Sequence, residues 1–318
     1  MNLIEEAAII ELFGIRMYAF GLSMMLGAIG SMITIGVLGK TFRLKQGTAP
    51  LAAFLSLVLG IICSRLVFCL LNQELGQMMP FSSWFEIAGG GWSMFGMIGG
   101  VFLAGWITAV IRKEKTARVL DVVSCATLPL IIAERIGENR IEDFDISRPL
   151  DNPFLAKSFL AVGEDEPCLA TYYVAAAFAL VLFVYLLFRM RRHREDGEQV
   201  IAFLLLFGAG TMITESLRYD RFLSVSFVGL QQIMAAVMLA IGVVVTVRKN
   251  RFQKRGLCIA ALISLPLMVG IVIGLEFALD RTTWNKLLIY ALMILTVSIP
   301  AALGFRLIRT GTKGKDLP

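Results

Sequence analysis

Long apolar runs separated by short polar stretches recur nine times, at 15–38, 50–71, 92–111, 119–135, 168–188, 200–217, 225–247, 257–279 and 284–305. A run of about twenty apolar residues has the length an α-helix needs to cross roughly 30 Å of hydrocarbon, so each predicts a membrane span. The fourth run is the shortest and is bounded by Asp121 and Glu134. Between the fourth and fifth runs lies a polar segment, 136–167, rich in Asp, Glu, Asn and Pro. A segment of this length predicts a small ordered head rather than a tight turn. The pattern predicts an all-α polytopic membrane protein with about nine transmembrane helices and an extracytoplasmic head between spans 4 and 5.

Composition agrees with this class. The 318 residues are 57% hydrophobic and 17% charged, and the mean hydropathy is +0.76, well beyond soluble averages. Charge adds an orientation. Basic residues fill the loops after runs 1, 3, 5 and 7, from Lys40, Arg43 and Lys45 to Arg248, Lys249, Arg251, Lys254 and Arg255, and they return in the tail. The opposite segments carry acids: Glu5, Glu6 and Glu11, then Glu74 and Glu86, then Glu138 through Glu166. By the positive-inside rule the N-terminus lies outside and the C-terminus in the cytoplasm. The net charge of +6 thus reports topology and contact with anionic headgroups, and gives no reason to invoke nucleic acid. An acidic leader and an overlong apolar run argue that the first span is not a removable signal peptide. Five cysteines (Cys63, Cys69, Cys125, Cys168, Cys258) have neither metal nor disulfide spacing. No metal or cofactor is expected.

A few charges fall within or at the ends of these runs: Arg65, Glu134, Arg135, Glu215 and Arg218. Each costs roughly 2.5–3.5 kcal/mol near mid-bilayer on insertion scales, so something must compensate it. The direction of each span sets its depth. Tyr18, Arg65, the Gly-rich approach from Gly89 to Gly96, Glu134-Arg135, Glu215 with Arg218, and Gln231 with Gln232 all fall toward the outer leaflet. Each has an ordinary reading. The glycines pack helices closely, Arg218 and Arg221 snorkel to headgroups, and Arg65 pairs with Glu215 or Glu134. Tyr18 belongs to an interfacial belt, and the charges following Arg135 solvate one another. Asp121, at the inner end of span 4, is expected to partner Arg118 or Lys115. Convergence of six helices instead predicts that Arg135, Arg65, Glu215 and Arg218 share one polar cavity open to the outer leaflet. Paired guanidinium forks there would suit a phosphodiester or a carboxylate.

The same residues carry a family resemblance. Arg135-Ile136-Gly137, with Asp143 in the closing register and Glu142 beside it, resembles the signature Arg-[Ile/Leu]-Gly-Asn-Phe-Ile-Asn-Gly-Glu of the bacterial phosphatidylglycerol–prolipoprotein diacylglyceryl transferases. Gly90-Gly91-Trp92-Ser93-Met94-Phe95-Gly96 is similar to that family's Gly-Gly-Met-Ser-Phe-His-Gly. Ile15-Arg16-Met17-Tyr18 resembles its start of span 1, Arg65 its span 2 Arg, and Val119-Leu120-Asp121 its start of span 4. The stretch from Thr211 to Arg218 resembles its late Arg-Phe-x-x-Glu-x-x-Arg, and Gln231 its Met-Gly-Gln position. The likeness covers about residues 10–247, which makes 1–247 a transferase-like membrane domain and 248–318 two additional spans with a basic tail. Departures are specific: Phe95 stands at the family's His, Thr211 at the first Arg of the late motif, and the one histidine, His193, lies in a predicted cytoplasmic loop.

The resemblance implies transfer of diacylglyceryl from phosphatidylglycerol, or a related anionic phospholipid, to a lipobox cysteine of a secreted preprotein in the bacterial cytoplasmic membrane. It implies Arg135, Glu142, Asp143 and Glu215 as catalytic residues, and Arg65, Arg135, Asn139, Arg218, Tyr18, Ser93 and Gln231 as phospholipid-binding residues. A thiol of pKa about 8.5 needs activation at neutral pH. Without a histidine on the outer side that task falls to a carboxylate. A non-catalytic phospholipid or lipoprotein binder derived from the family is the alternative. A transporter is disfavoured because the charges sit toward one leaflet rather than between two repeat halves at mid-membrane.

Overall fold

Lipid offers backbone amides no partner, so every crossing segment must close its own hydrogen bonds as a helix. A computed structural model describes residues 10–12, 15–74, 84, 91–138, 146–150, 157–158, 160–162, 167–191, 195–219, 224–225, 228–250, 254–282 and 284–313. Among them are nine helices long and apolar enough to span: α1 (Ala19–Thr41), α2 (Thr48–Glu74), α3 (Met94–Arg112), α4 (Thr116–Gly137), α5 (Thr171–Met190), α6 (Glu198–Ser216), α7 (Leu230–Asn250), α8 (Arg255–Arg281) and α9 (Lys286–Lys313). The chain is an all-α polytopic membrane protein, one helix for each apolar run.

Five helices start later than the runs predict, α3 and α9 by two residues and α1, α5 and α7 by three or more. Apolar residues ahead of α1, α5 and α7 form short antiparallel strands instead. These are β1 (Ile10–Leu12) with β2 (Ile15–Met17), β5 (Cys168–Ala170), and β6 (Ser224–Val225) with β7 (Val228–Gly229). Hydropathy alone cannot separate a short buried strand from the first turn of a helix. In the predicted head, β3 (Ile146–Pro149) and β4 (Ala161–Val162) flank β5 in a three-stranded sheet. Ser147 ties this sheet by accepting the Leu169 N–H on its Oγ at 2.7 Å.

α3, α4 and α6 form the most buried part of the bundle, while α1, α2 and α8 lie at its edge. The edge helices turn large apolar side chains such as Leu26, Phe54 and Leu267 outward, which a lipid environment accepts. Inside, Phe203 and Phe207 stack one turn apart on α6 with ring centroids 5.1 Å apart. α2 presses on α3 where Gly96 and Gly100 carry no side chain. A Cβ at either position would collide with backbone of α2, at Cys63 and Leu59 respectively. Close helix packing is therefore the role of these glycines. α9 packs on α6 and α7 and α8 packs on α7, and a buried Gln232 Nε2 donates to Glu276 Oε1 at 2.8 Å across the α7–α8 contact.

The two ends of the bundle differ. One end gathers the basic loops: Arg118 and Lys115 meet Asp196 at 3.1 and 3.3 Å, Lys249 meets Glu195, and Lys45 Nζ donates to the Lys113 carbonyl. Asp121 lies at this end, but it does not serve Arg118 or Lys115 as the sequence suggested. Its fully buried carboxylate accepts the backbone N–H groups of Gly197 at 2.7 Å, Gln199 at 3.0 Å and Val200 at 2.9 Å. The reason is local. α6 begins behind Gly197, which holds φ +93° and offers no capping side chain, so the orphan amides of its first turn draw a carboxylate from α4.

Replacing Asp121 by Ala should cost about 2–3 kcal/mol, since it strands several buried amides. Asp121→Asn should cost less because one acceptor oxygen survives. Thermal unfolding in detergent measures both. Asp196 lies outside the spans, and its hydrogen bond from Arg118 holds its carboxyl below the ordinary carboxylate range. A lowered folded pKa means the contribution is complete above about pH 4 and disappears as pH falls through the lower folded value. Asp196→Asn should flatten that part of the stability profile, by no more than about 1 kcal/mol for a pair this exposed.

Candidate polar site at the ends of α4 and α6

At the other end of the bundle, α4 closes with Glu134-Arg135-Ile136-Gly137 and α6 closes with Glu215 and Ser216. Arg135 is 3% exposed. Its Nη1 donates to both oxygens of Glu138, at 3.2 and 3.0 Å, one turn further along the chain. Its Nη2 donates to Glu215 Oε1 at 3.0 Å and to Gln231 Oε1 at 3.1 Å, and lies 3.3 Å from Met94 Sδ. Glu215 Oε2 in turn accepts from Arg218 Nη1 at 3.2 Å. An alternating chain of charge, Glu138–Arg135–Glu215–Arg218, thus joins the ends of α4 and α6 and touches the first turns of α3 and α7. All four side chains are buried. In so dry a site, removing one partner leaves an uncompensated charge, and that loss far exceeds what a surface pair would cost.

Arg65 projects from α2 and is also buried. Its Nη1 donates to the Gly91 carbonyl at 2.8 Å and its Nε to the Trp84 carbonyl at 3.4 Å. Its guanidinium lies 5.7 Å from the Phe68 ring and 5.8 Å from the Trp92 ring, a cation–π arrangement. Gly91 makes this approach possible. It holds φ +78°, and a Cβ there would strike the Phe68 ring and Arg65 itself. Arg65 is therefore fastened to the segment that leads into α3, whose first residue, Met94, reaches Arg135.

The sequence-predicted residues fall into groups. Arg135, Glu215, Arg218 and Gln231 are brought together directly. Ser93 is the N-cap of α3: its Oγ accepts the Gly96 N–H at 3.2 Å, and its backbone exchanges hydrogen bonds with Ser64. Tyr18 stands at the N-cap of α1, partly exposed. Asn139, Glu142, Asp143 and His193 lie outside the described residues. Two participants were not foreseen as site residues. Glu138 stands where the signature has Asn, and its spacing of three from Arg135 was the available clue. Glu134 is buried beside the network, and its Oε2 has no hydrogen-bond partner among the described residues. Phe95, at the family's His position, is buried at the start of α3.

Residues 7–248 match the family model for prolipoprotein diacylglyceryl transferase. The chain is 24% identical over 210 residues to the phosphatidylglycerol–prolipoprotein diacylglyceryl transferase of Clostridioides difficile (strain 630), covering 66% of this chain and 82% of that protein. It is 21% identical over 258 residues to the protein of the same description from Clostridium tetani (strain Massachusetts / E88), covering 79% of this chain and all of the relative. A third such protein, from Staphylococcus haemolyticus (strain JCSC1435), is 22% identical over 213 residues, with 63% and 73% coverage. The matched segment ends before α8.

The charge chain is a single unit if the hydrogen bonds above are what hold it. Glu215→Gln should destabilise the protein by about 3–5 kcal/mol, the range for breaking a buried pair from one side. A double-mutant cycle of Glu215→Gln with Arg218→Gln should return a coupling energy of about 1–3 kcal/mol. Additive losses in detergent unfolding would mean that the two side chains act independently.

Proposed function

The chain belongs to the prolipoprotein diacylglyceryl transferase family, and from that membership we propose that it transfers the diacylglyceryl group of phosphatidylglycerol, or a related anionic phospholipid, to the cysteine thiol of a secreted preprotein. The observation that carries the reading is the buried meeting of Arg135, Glu215, Arg218 and Gln231, all on motif positions, at one end of the bundle. In this reaction sulfur bonds to the glyceryl carbon that bears the phosphate, and glycerol phosphate departs. Charge grows on the leaving phosphate, and donors already fixed in a dry site stabilise such charge best. Arg135 is the central donor, with Arg218 and Arg65 assisting. Phosphate exchanges with the Glu138 and Glu215 carboxylates for the guanidinium fork, since both anions fit its geometry.

The membrane is the bacterial cytoplasmic membrane, with the Arg135 end of the bundle facing outward, where secreted preproteins emerge. The charge distribution supports this, because the basic loops cluster at the opposite end. A second reading has its own observation. Arg135 is already matched by carboxylates, and Phe95 replaces the family's histidine, which suits a family-derived protein that binds phospholipid or lipoprotein without turning it over.

Purified protein in phosphatidylglycerol vesicles, given a lipobox-cysteine peptide, should form a diacylglyceryl thioether peptide. Saturable lipid binding without product selects the second reading. If transfer occurs, Arg135→Lys should lower turnover by about 10²-fold or more, because it keeps the charge but loses the fork. The exposed Lys157→Arg should leave turnover unchanged. Orientation is read by labelling a Lys157→Cys variant in intact cells with an impermeant maleimide. Lys157 is exposed, and labelling before permeabilisation is the expected result.

A further inference from the structure

Thiol transfer needs a group that takes the sulfur's proton. Of the carboxylates at the described site, two are engaged. Glu138 receives Arg135 Nη1 on both oxygens, and Glu215 holds Arg135 on one oxygen and Arg218 on the other. Neither is available to a proton until phosphate displaces it from Arg135, and Glu215 keeps Arg218 on its other oxygen even then. Glu134 differs. The residue is 8% exposed, and its Oε2 has no hydrogen-bond partner among the described residues. The charged groups that face it are Arg135 and Glu138 from the end of α4, and Glu215 and Arg218 from the end of α6. A buried carboxylate oxygen without a donor is unusual in a folded protein and asks for a reason. This one adjoins the residue that holds phosphate in the proposed reaction.

We propose that Glu134 is a catalytic residue, the proton acceptor for the acceptor thiol. The inference rests on the reading of the chain as a diacylglyceryl transferase. In the step, the S–H bond breaks, its proton passes to Glu134 Oε2 and the electron pair stays on sulfur. Sulfur then bonds to the glyceryl carbon, and the carbon–oxygen bond to phosphate breaks with its electron pair on the departing oxygen. The proton on Glu134 passes to the released glycerol phosphate held by neighbouring Arg135, which regenerates the carboxylate. Adjacent positions at the end of α4 thus serve the two halves of the reaction, Arg135 the leaving group and Glu134 the nucleophile.

A pair of acceptor peptides tests this. Full-length protein in phosphatidylglycerol vesicles is given, under reducing conditions, either a lipobox-cysteine peptide or the same peptide with selenocysteine. The selenol is already ionised at neutral pH and needs no base. Glu134→Gln should lower transfer to cysteine by about 10²-fold or more, the usual range for a lost general base. Transfer to selenocysteine should fall by less than about 10-fold, and Arg135→Lys should impair both peptides alike. Undiminished transfer to cysteine by Glu134→Gln overturns the proposal. Equal loss on both peptides also overturns it, because Glu134 is then structural. If the unaltered protein transfers to neither peptide, the transferase reading itself fails and this inference falls with it.

Discussion

Charge buried at the membrane must be matched where it stands, and in this protein one carboxylate does most of the matching. Glu215 takes a guanidinium on each oxygen, Arg135 from α4 and Arg218 from just beyond α6. Everything else at that end follows from the arrangement. α4 and α6 must finish at the same depth, α7 must begin there so that Gln231 reaches Arg135, and α3 must enter with Met94 against the same guanidinium. The three most buried helices of the bundle all contribute to this junction. A hydrophobic bundle would tolerate several registers of one helix against another, whereas a desolvated ion network tolerates few.

The two helices beyond the family match are not a loose appendage. α9 packs against α6 and α7, and Glu276 of α8 accepts a hydrogen bond from Gln232, the residue after Gln231. A polar pair at the same depth as the site fixes the rotation of α8 about its axis, because turning it away would leave Gln232 and Glu276 exposed to apolar surroundings. The additional spans therefore buttress α7, which supplies a side chain to the charge chain.

The fold was largely legible in the sequence because hydropathy over twenty residues is a physical requirement of spanning. Helix starts were less legible. The stretches at Ile15–Met17 and Cys168–Ala170 are apolar enough to read as span yet form strands, and composition does not encode that difference over three residues. At the site, Arg135, Glu215, Arg218 and Gln231 were readable because charge in an apolar run is conspicuous and their depths agreed. Asp121 was misread for the same reason. Basic neighbours in sequence suggested an ion pair, but its partners are the amides of α6, 76 or more residues away, and no local pattern announces a distant helix that lacks a cap. Glu138 was hidden by looking to the signature letter rather than to the helical spacing from Arg135.

α4 and α6 are fastened to each other at both extremities, by Asp121 across the first turn of α6 and by Arg135 with Glu215 across the last. Mechanically the pair is a strut with welded ends. Neither helix can piston past the other without breaking hydrogen bonds at two levels of the membrane at once. Any change of register in the bundle must therefore run between this pair and a neighbouring helix, and never within the pair.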